Sequence, residues 1–345
     1  MAKIRAKTIE IRDFITANVV EHPSTIVALT GDKFDISRQA AARHVRRLVD
    51  EGMLEAKGTT RNRKYDLAVL ERLKFTYDLS ETTSEDAVWN HDLQPIFEGL
   101  PANVVNIWHT GFTEMFNNVI DHSDSKTAFV AIDKTAVDFR LYVADKGVGI
   151  FKKIQDSLKL TDERHAALEL AKGKFTTDPD NHTGMGIFFS YNAFDEFTIL
   201  SGKMYFNHNH DVEENWLLDE RKRKEGTTII LKLNNEAERT MEEVYNLFSA
   251  SEDNDYAFNR TIVPLKLAVY ADDKLVSRSQ AKRVLVRIDE FDTVYFDFEG
   301  VDYVGQGFTD EIFRVFQKNH PNLEIYAING NESISSMILR VKSSG

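Results

Sequence analysis

The sequence predicts a multidomain α+β protein with a helical N-terminal part, a central α/β part and a small C-terminal α/β part. A chain of 345 residues with 42% apolar content is long enough for two or three domains, at roughly 100–200 residues each. Helical spacing dominates the first 50 residues, whereas helix-type and strand-type segments alternate after residue 90. Polar clusters at residues 80–86 and 250–260 mark the boundaries. We therefore expect a domain at 1–67, a connector at 68–89, a domain at 90–250 and a last domain at 262–345.

The composition excludes several classes of function. The chain has no cysteine, which excludes disulfides, thiolate metal sites and thiol catalysis. No apolar run reaches the roughly 18 residues that a membrane-spanning helix needs. The N-terminal string MAKIRAKTIEIRDFI alternates charged with apolar residues, as a soluble helix does. We therefore expect a cytoplasmic protein with no membrane partner.

The net charge of −12 is unevenly distributed along the chain. Residues 1–66 carry 13 Lys or Arg against 9 Asp or Glu, and residues 37–64 carry 8 against 3. An excess of positive charge suits a surface that faces phosphate, whereas the acidic remainder repels nucleic acid. If the protein binds double-stranded DNA, we expect the N-terminal part to bind it.

The N-terminal part is expected to contain three helices and a β-hairpin. Apolar residues at helical spacing between Ile9 and Val20 predict the first helix, and a short second helix is expected to end near Leu29. Ser37 is a suitable N-cap for a third helix that ends at Gly52. The string MLEAKGTTRNRKYDL then predicts two strands around a basic loop.

This combination resembles the winged-helix DNA-binding domains of bacterial regulators, over roughly residues 5–67. The resemblance implies that the third helix enters the major groove and that the hairpin contacts phosphate or the minor groove. The alternative is a winged helix that serves as a protein–protein module. The residues expected to contact DNA are Ser37, Arg38, Gln39 and Arg43 on the helix and Arg61, Arg63 and Lys64 on the hairpin.

The first of four motifs in the central part lies on a predicted helix. In the string FTEMFNNVIDHS, the polar residues Glu114, Asn118 and His122 recur at every fourth position and so share one helix face. Phe112 and Phe116 lie toward the other side. We therefore expect one face of this helix to pack and the other to present polar groups.

The other three motifs combine glycine with polar residues. In VADKGVGI, an aspartate ends a strand-like segment, and two glycines allow close backbone approach to a flat ligand. In HTGMGIFFSYNAF, two glycines open an apolar helix whose N-terminal amides suit a phosphate. Taken alone, each motif is more often an ordinary turn. The motif residues are Asp145, Gly147 and Gly149, then Thr183, Gly184 and Gly186, and finally Gly226, Thr227 and Thr228 at the start of the strand TTIILKL.

The order and spacing of the four motifs make residues 90–235 resemble the GHKL ATPases, the superfamily of gyrases, chaperones and histidine kinases. The resemblance implies an α/β sandwich in which helices cover one face of a mixed sheet. It also implies that the four motifs, including Thr227, bind ATP and Mg²⁺.

The same resemblance assigns roles to individual residues. It implies that Asn118 holds Mg²⁺ and that Asp145 accepts a hydrogen bond from the adenine amino group. Glu114 corresponds to the general base, the alternative being a solvated helix carboxylate. His122 is either a contact on the phosphate side or a capping residue.

An ATP lid is implied at residues 150–183, with a helix near 162–172. The string KGKFTTDPDNHTG is similar to the lid end of histidine kinases and anti-sigma-factor kinases. Lys172 or Lys174 is then expected to reach the phosphates, the alternative being a solvated lysine.

Residues 262–345 resemble a STAS-like domain, the fold of anti-sigma-factor antagonists, through the string DFEGVDYVGQGFTDE. In the antagonists a serine in this turn accepts phosphate, whereas here Gln306 stands between two glycines and Thr309 is the nearest serine or threonine. We therefore expect constitutive docking, on the ATPase domain, on a second copy of the chain in a homodimer or on a partner protein, rather than phosphorylation. The expected elements are strand VLVRI, strand TVYFDF, helix GFTDEIFRVFQKN, strand LEIYAI and helix ESISSMILRV.

Three functions remain open at this point. The leading hypothesis is an ATP-binding, DNA-binding regulator in which Mg-ATP occupancy switches the domain arrangement, with slow hydrolysis as a further activity. The others are a protein serine/threonine kinase resembling the anti-sigma-factor kinases, and a DNA-dependent ATPase in genome maintenance or phage defence. The resemblance does not separate them, because all three share the nucleotide site.

Overall fold

A computed structural model of the chain describes residues 2–59, 62–80, 84–160, 162–175, 184–210, 214–218, 224–249, 258–269 and 274–343. It contains two compact units. The first comprises Met1–Phe75, Val130–Tyr142 and Lys232–Glu236, and the second comprises Thr76–Phe129, Val143–Leu231 and Ala237–Gly345. Parallel and antiparallel strand pairs both occur, so the multidomain α+β class expected from the sequence is confirmed.

The first unit begins with three helices and a hairpin. Ile11, Ile15, Val45, Leu48 and Leu54 are buried together and form the core of this part. Burial of these side chains stabilises the helices, which are individually short. The elements are α1 (Ala2–Asn18), α2 (Ile26–Phe34), α3 (Arg38–Asp50) and the antiparallel strands β1 (Leu54–Lys57) and β2 (Lys64–Leu67).

Helix α2 is longer than the sequence predicts. It was expected to end near Leu29, and it continues to Phe34, where Asp35 adopts a left-handed backbone conformation with φ of 49°. The Phe34 ring packs edge-on against Phe14, with ring centres 5.4 Å apart. This contact favours the helical path over the turn that Gly31 suggests.

A seven-stranded sheet has the order β3-β4-β5-β9-β6-β7-β8, and β6, β7 and β8 pair antiparallel. Strand β3 lies within residues 68–89, which were expected to be a connector. Leu73, Phe75 and Tyr77 alternate there with more exposed residues, as on an edge strand with one covered face. The strands are β3 (Glu71–Asp78), β4 (Thr127–Lys134), β5 (Asp138–Asp145), β6 (Glu196–Gly202), β7 (Met204–Asn209), β8 (Glu214–Leu218) and β9 (Lys224–Asn234).

Helices of the second unit pack through aromatic side chains. Trp108 is fully buried, stacks on Phe97 at 5.1 Å between ring centres and meets Phe194 edge-on at 4.9 Å. Among the described residues, no helix has both the length and the apolar character that crossing a bilayer requires. The helices are α4 (Glu85–Val88), which continues as π-helical and 3₁₀ turns to Phe97, then α5 (Ala102–His122), α6 (Ile150–Leu158), α7 (Arg164–Lys172), α8 (Gly186–Ala193) and α9 (Met241–Phe248).

The C-terminal part has a three-stranded parallel sheet of order β10-β11-β12. Val294 and Phe296 of its middle strand are fully buried. Helix α11 is continued by a π-helical turn, Glu311–Phe316, and by α12, and short 3₁₀ turns lie at Leu265–Ala268 and Ile288–Glu290. The elements are β10 (Arg260–Pro264), α10 (Arg278–Val284), β11 (Thr293–Asp297), α11 (Gln306–Asp310), α12 (Gln317–Asn319), β12 (Glu324–Ile328) and α13 (Glu332–Ser343).

The strand expected at VLVRI, residues 284–288, is wrong. Val284 ends α10, and a helical turn follows. Ser277 and Gln280 form a capping box that starts α10, so local hydrogen bonding overrides the β-branched composition. The outer place in the sheet is taken by β10, which begins at Arg260, before the expected boundary at 262. The other four C-terminal elements are confirmed.

Candidate functional site

A cavity of about 260 Å³ is lined by residues from α5, the end of β5, the start of β9, α6 and α8. Apolar side chains, among them Val143, Leu170, Phe175 and Ile229, contribute part of its wall. The lining also includes eight of the residues that the sequence indicated: Glu114, Asn118, His122, Asp145, Gly149, Gly184, Gly186 and Thr227.

Asp145 ends β5 and presents a fixed carboxylate to the cavity. Its oxygens accept hydrogen bonds from the backbone N–H groups of Gly147 at 2.7 Å and Thr227 at 3.2 Å. The side chain is buried, and burial raises the pKa of the Asp145 carboxyl, although these two hydrogen bonds act in the opposite direction. Each carboxylate oxygen has a second lone pair, so the group can accept a further hydrogen bond from a ligand.

Two positions close to Asp145 in space must be glycine because a Cβ there would collide with the protein's own backbone. A Cβ on Gly147 would lie 1.7 Å from the Ser123 carbonyl oxygen at the end of α5, and Gly147 is outside the cavity lining. Gly226 has φ of 72°, and a Cβ there would lie 2.1 Å from the Asp145 carbonyl oxygen. The sequence suggested ligand contact as the reason for Gly147, whereas close packing of backbone on backbone explains it here.

Thr227 connects three segments around the cavity. Its hydroxyl oxygen accepts a hydrogen bond from the Ile150 N–H at the start of α6, at 2.9 Å, and lies 3.4 Å from the Ser201 hydroxyl. The Ser201 hydroxyl in turn donates to the Gly226 carbonyl at 3.0 Å. Sequence reasoning missed Ser201, because nothing in the chain order relates β6 to this turn.

The polar face of α5 lies along the cavity as its spacing predicts. Asn118 and His122 are half-buried, and Glu114 is exposed. The Glu114 carboxylate is close to the first residue of α8, since a Cβ on Gly186 would lie 1.9 Å from Glu114 Oε2. Burial and the charge of Glu114 raise the pKa of Tyr245.

Among the described residues, the lysine in the cavity lining is Lys153. It lies on α6 in the cavity lining, and its Nζ donates to the His122 carbonyl at 2.5 Å and is 3.5 Å from Asp124 Oδ2. The structure places Lys172 and Lys174 outside the lining. Lys172 is fully buried and Lys174 donates to a carbonyl in the C-terminal part.

The residues expected to contact DNA lie on α3 and the hairpin. Arg38, Gln39 and Arg43 are exposed on α3, and Ser37 caps this helix by accepting the Ala40 N–H at 3.2 Å. Arg63 and Lys64 are exposed on the hairpin. Arg61 and, in the central part, Thr183 lie outside the described residues.

The C-terminal turn that resembles a phosphoacceptor site is closed. Thr309 is 1% exposed, and its hydroxyl donates to the Gly305 carbonyl at 3.1 Å. The backbone of Val276 lies against the turn, because a Cβ on Gly305 would be 2.7 Å from the Val276 Cα. Gln306 begins α11 without a hydroxyl to modify.

Comparison with protein families matches residues 280–334 to a STAS-like domain of unknown function (DUF4325). The match runs from within α10 to the start of α13, so the STAS-like character expected for the C-terminal part is confirmed there. Comparison of the chain with curated proteins gave no match.

Proposed function

We propose that the chain is a GHKL-type ATP-binding regulator in which Mg-ATP in the cavity changes the arrangement of a DNA-binding winged helix and the STAS-like domain. Slow hydrolysis accompanies binding. The observation that carries this proposal is the convergence of residues from all four sequence motifs on one cavity, including Glu114, Asn118, Asp145, Gly184 and Thr227. These residues are up to 113 positions apart in the chain. If each motif were only an independent local turn, there would be no reason for all four to line one cavity.

The base specificity follows from Asp145. Backbone N–H groups fix its carboxylate, and the remaining lone pairs accept the amino group of adenine. Guanine presents a carbonyl oxygen at the equivalent position, which a carboxylate repels. The apolar wall formed by Val143, Ile154 and Ile229 suits the flat base.

The phosphate side is assigned to α5, Lys153 and the start of α8. Mg²⁺ takes a few protein oxygens together with phosphate oxygens and water. The side-chain oxygen of Asn118 fits that requirement, and Glu114 lies one helical turn away on the same face. The metal would neutralise charge on the phosphates, while Lys153 adds a positive charge and the α8 N-terminus adds backbone N–H groups.

DNA binding is assigned to the first unit. Exposed Arg38, Gln39 and Arg43 occupy the first turns of α3, which is the part of a recognition helix that reaches base edges. The excess of basic residues between 37 and 64 supports a surface that faces phosphate. The alternative is a protein–protein role for this unit, which absence of salt-sensitive binding to duplex DNA would favour.

Incubation of the full chain with γ-labelled ATP and Mg²⁺, with and without duplex DNA, distinguishes the candidate activities. The proposal predicts nucleotide binding with slow release of free phosphate, and salt-sensitive binding to DNA. Stoichiometric labelling of a co-incubated protein would instead favour the kinase, and release of phosphate only with DNA would favour the DNA-dependent ATPase. Absence of any ATP binding would contradict all three.

A further inference from the structure

Arg287, in the STAS-like part, contacts the segment that follows α7. Its Nη2 donates to the carbonyls of Gly173 at 3.1 Å and Lys174 at 2.5 Å. Its Nη1 lies 3.5 Å from Glu169 Oε2, and the side chain is 11% exposed. The guanidinium also pairs with Glu290, through Nε at 2.9 Å and Nη2 at 2.8 Å. One planar guanidinium therefore contacts two carbonyls and two carboxylates, an arrangement that a lysine ammonium does not reproduce.

The last residue of α7 and a residue just after the helix reach back to the same C-terminal segment. Lys174 Nζ donates to the Glu290 carbonyl at 2.5 Å and lies 4.7 Å from the Phe291 ring centre. Lys172 Nζ is fully buried and donates to the Val286 carbonyl at 2.9 Å. Residues 286–291 therefore contact both the last residue of α7 and the two residues that follow the helix.

The two residues at the centre of this contact have unfavourable backbone conformations. Lys174 has φ of 53° and Arg287 has φ of 59°, and both carry a Cβ. Left-handed conformations of such residues persist only where the surrounding contacts determine them. The contact is thus a specific arrangement and not an incidental one.

Phe175 connects this contact to the cavity. It follows Lys174 directly and forms part of the cavity wall. The Arg287 guanidinium lies 5.6 Å from the Phe175 ring centre. Gly184, also in the lining, packs against the Phe175 backbone, since a Cβ on Gly184 would be 2.5 Å from the Phe175 carbonyl oxygen. Arg287 therefore touches both the backbone before Phe175 and its ring.

We propose that Arg287 is a positioning residue for the cavity, which makes nucleotide affinity depend on the STAS-like domain. The inference rests on the proposed ATP-binding function. Arg287 acts through Phe175, which it holds in the cavity wall. A protein that docks on the STAS-like domain and draws residues 286–291 away would weaken nucleotide binding, and by linkage bound nucleotide would strengthen the Arg287 contact.

The test is calorimetric titration of Mg-ATP into the full chain and three variants. Arg287→Gln removes both the positive charge and the planar guanidinium. Arg287→Lys keeps the positive charge and removes the planar guanidinium. Arg278→Gln is the matched control, because Arg278 lies in the same domain and pairs with Asp310 and Glu311. We expect both Arg287 variants to raise the Kd for ATP by about five-fold or more, which is the lower end of the range for energetic coupling between two sites. The control should change the Kd by less than about two-fold.

A double-mutant cycle and hydrogen exchange separate positioning from general loosening. In a Phe175→Leu background, Arg287→Gln should have a much smaller effect on the Kd. Amides at 170–175 should exchange faster in Arg287→Gln than in Arg278→Gln. If the wild type binds ATP and the Arg287 variants bind it equally well or more tightly, the inference about Arg287 is overturned and the proposed ATP-binding function is not. Failure of the wild type to bind ATP would overturn the proposed function and the inference together.

Discussion

The Thr227 backbone N–H donates to the Asp145 carboxylate at 3.2 Å although 82 residues separate them in the chain. The sheet order makes this possible, because β5, which ends at Asp145, lies next to β9, which contains Thr227. The adjacent Gly226 packs against the Asp145 backbone, because a Cβ on Gly226 would lie 2.1 Å from the Asp145 carbonyl oxygen. The acceptor group of the cavity is therefore fixed from two directions, by the neighbouring strand through Thr227 and by its own loop through the Gly147 N–H at 2.7 Å.

Gly147→Ala should destabilise the fold strongly. The added Cβ would meet the Ser123 carbonyl at 1.7 Å, and a backbone atom there cannot yield as a flexible side chain can. We expect a loss of about 3 kcal/mol or more in the free energy of unfolding, at or above the usual range for overpacking. Gly52→Ala serves as the control in denaturant unfolding, since its Cβ meets nothing within 4 Å and only its φ of 75° opposes the change. Equal losses in the two variants would argue against the packing at Gly147.

Glu114→Gln should bind ATP as the wild type does and lose hydrolysis. The replacement keeps the size that fits against Gly186 and removes the basic group. A general base typically contributes about 10²–10⁴-fold, so phosphate release should fall by about 100-fold or more. The control is Glu98→Gln, which changes an exposed glutamate just before α5. Unchanged phosphate release in Glu114→Gln would exclude Glu114 as the base.

DNA binding should weaken steeply as the salt concentration rises, and substitutions on the hairpin should act differently from substitutions on α3. Arg63→Ala on the hairpin should lower affinity for all sequences and reduce the salt slope by about 1, as loss of one phosphate contact does. Arg43→Ala on α3 should mainly reduce sequence preference. Lys318→Ala, an exposed lysine of the C-terminal part, should leave both unchanged. Salt-independent binding would favour a protein-interaction role for the first unit.

Adenosine binding should be lost on acidification at a higher pH than an ordinary aspartate would give. Burial raises the pKa of Asp145, so the carboxylate that accepts the amino group exists only above this raised value. As the pH falls through it, the group becomes protonated, and one oxygen changes from an acceptor to a donor while the other becomes a weaker, uncharged acceptor. Adenosine is used as the ligand because it has no phosphate groups whose protonation would also change with pH. Its affinity, measured by fluorescence or calorimetry at a series of pH values, gives the midpoint of the loss. A midpoint at or below the usual aspartate range would contradict the assignment.

The STAS-like turn should remain unmodified after incubation with Mg-ATP. Thr309 is buried and hydrogen-bonded to Gly305, and Gln306 has no hydroxyl. Mass spectrometry should therefore detect no phosphate between residues 300 and 312. Stoichiometric phosphorylation of Thr309 would require the turn to open and would favour the kinase hypothesis.

Local patterns in the sequence were sufficient for much of the fold. The four-residue spacing of Glu114, Asn118 and His122 predicts the face of α5 that lines the cavity, because helix geometry alone determines it. Ser37 predicts the start of α3, and the helix expected near 162–172 is α7.

Features that depend on distant contacts were not predictable in this way. Lys153 and Lys174 are both lysines near glycine motifs, and only the packing of α6 and of residues 286–291 decides which one lines the cavity. The edge strand β3 likewise depends on which segments occupy the seven-stranded sheet. Tertiary contacts override local propensity at such positions.

Binding of Mg-ATP to the wild type and to Asp145→Asn tests the central claim most directly. Asp138→Asn is the matched control, because Asp138 is a buried aspartate at the other end of β5. We predict that the wild type and Asp138→Asn bind ATP with similar Kd and prefer it to GTP. Asp145→Asn, whose amide would bring a donor toward the Gly147 and Thr227 N–H groups, should bind at least about ten-fold more weakly, a difference of about 1.4 kcal/mol. Equal binding of ATP by Asp145→Asn and the wild type, or no binding by the wild type, would contradict the account.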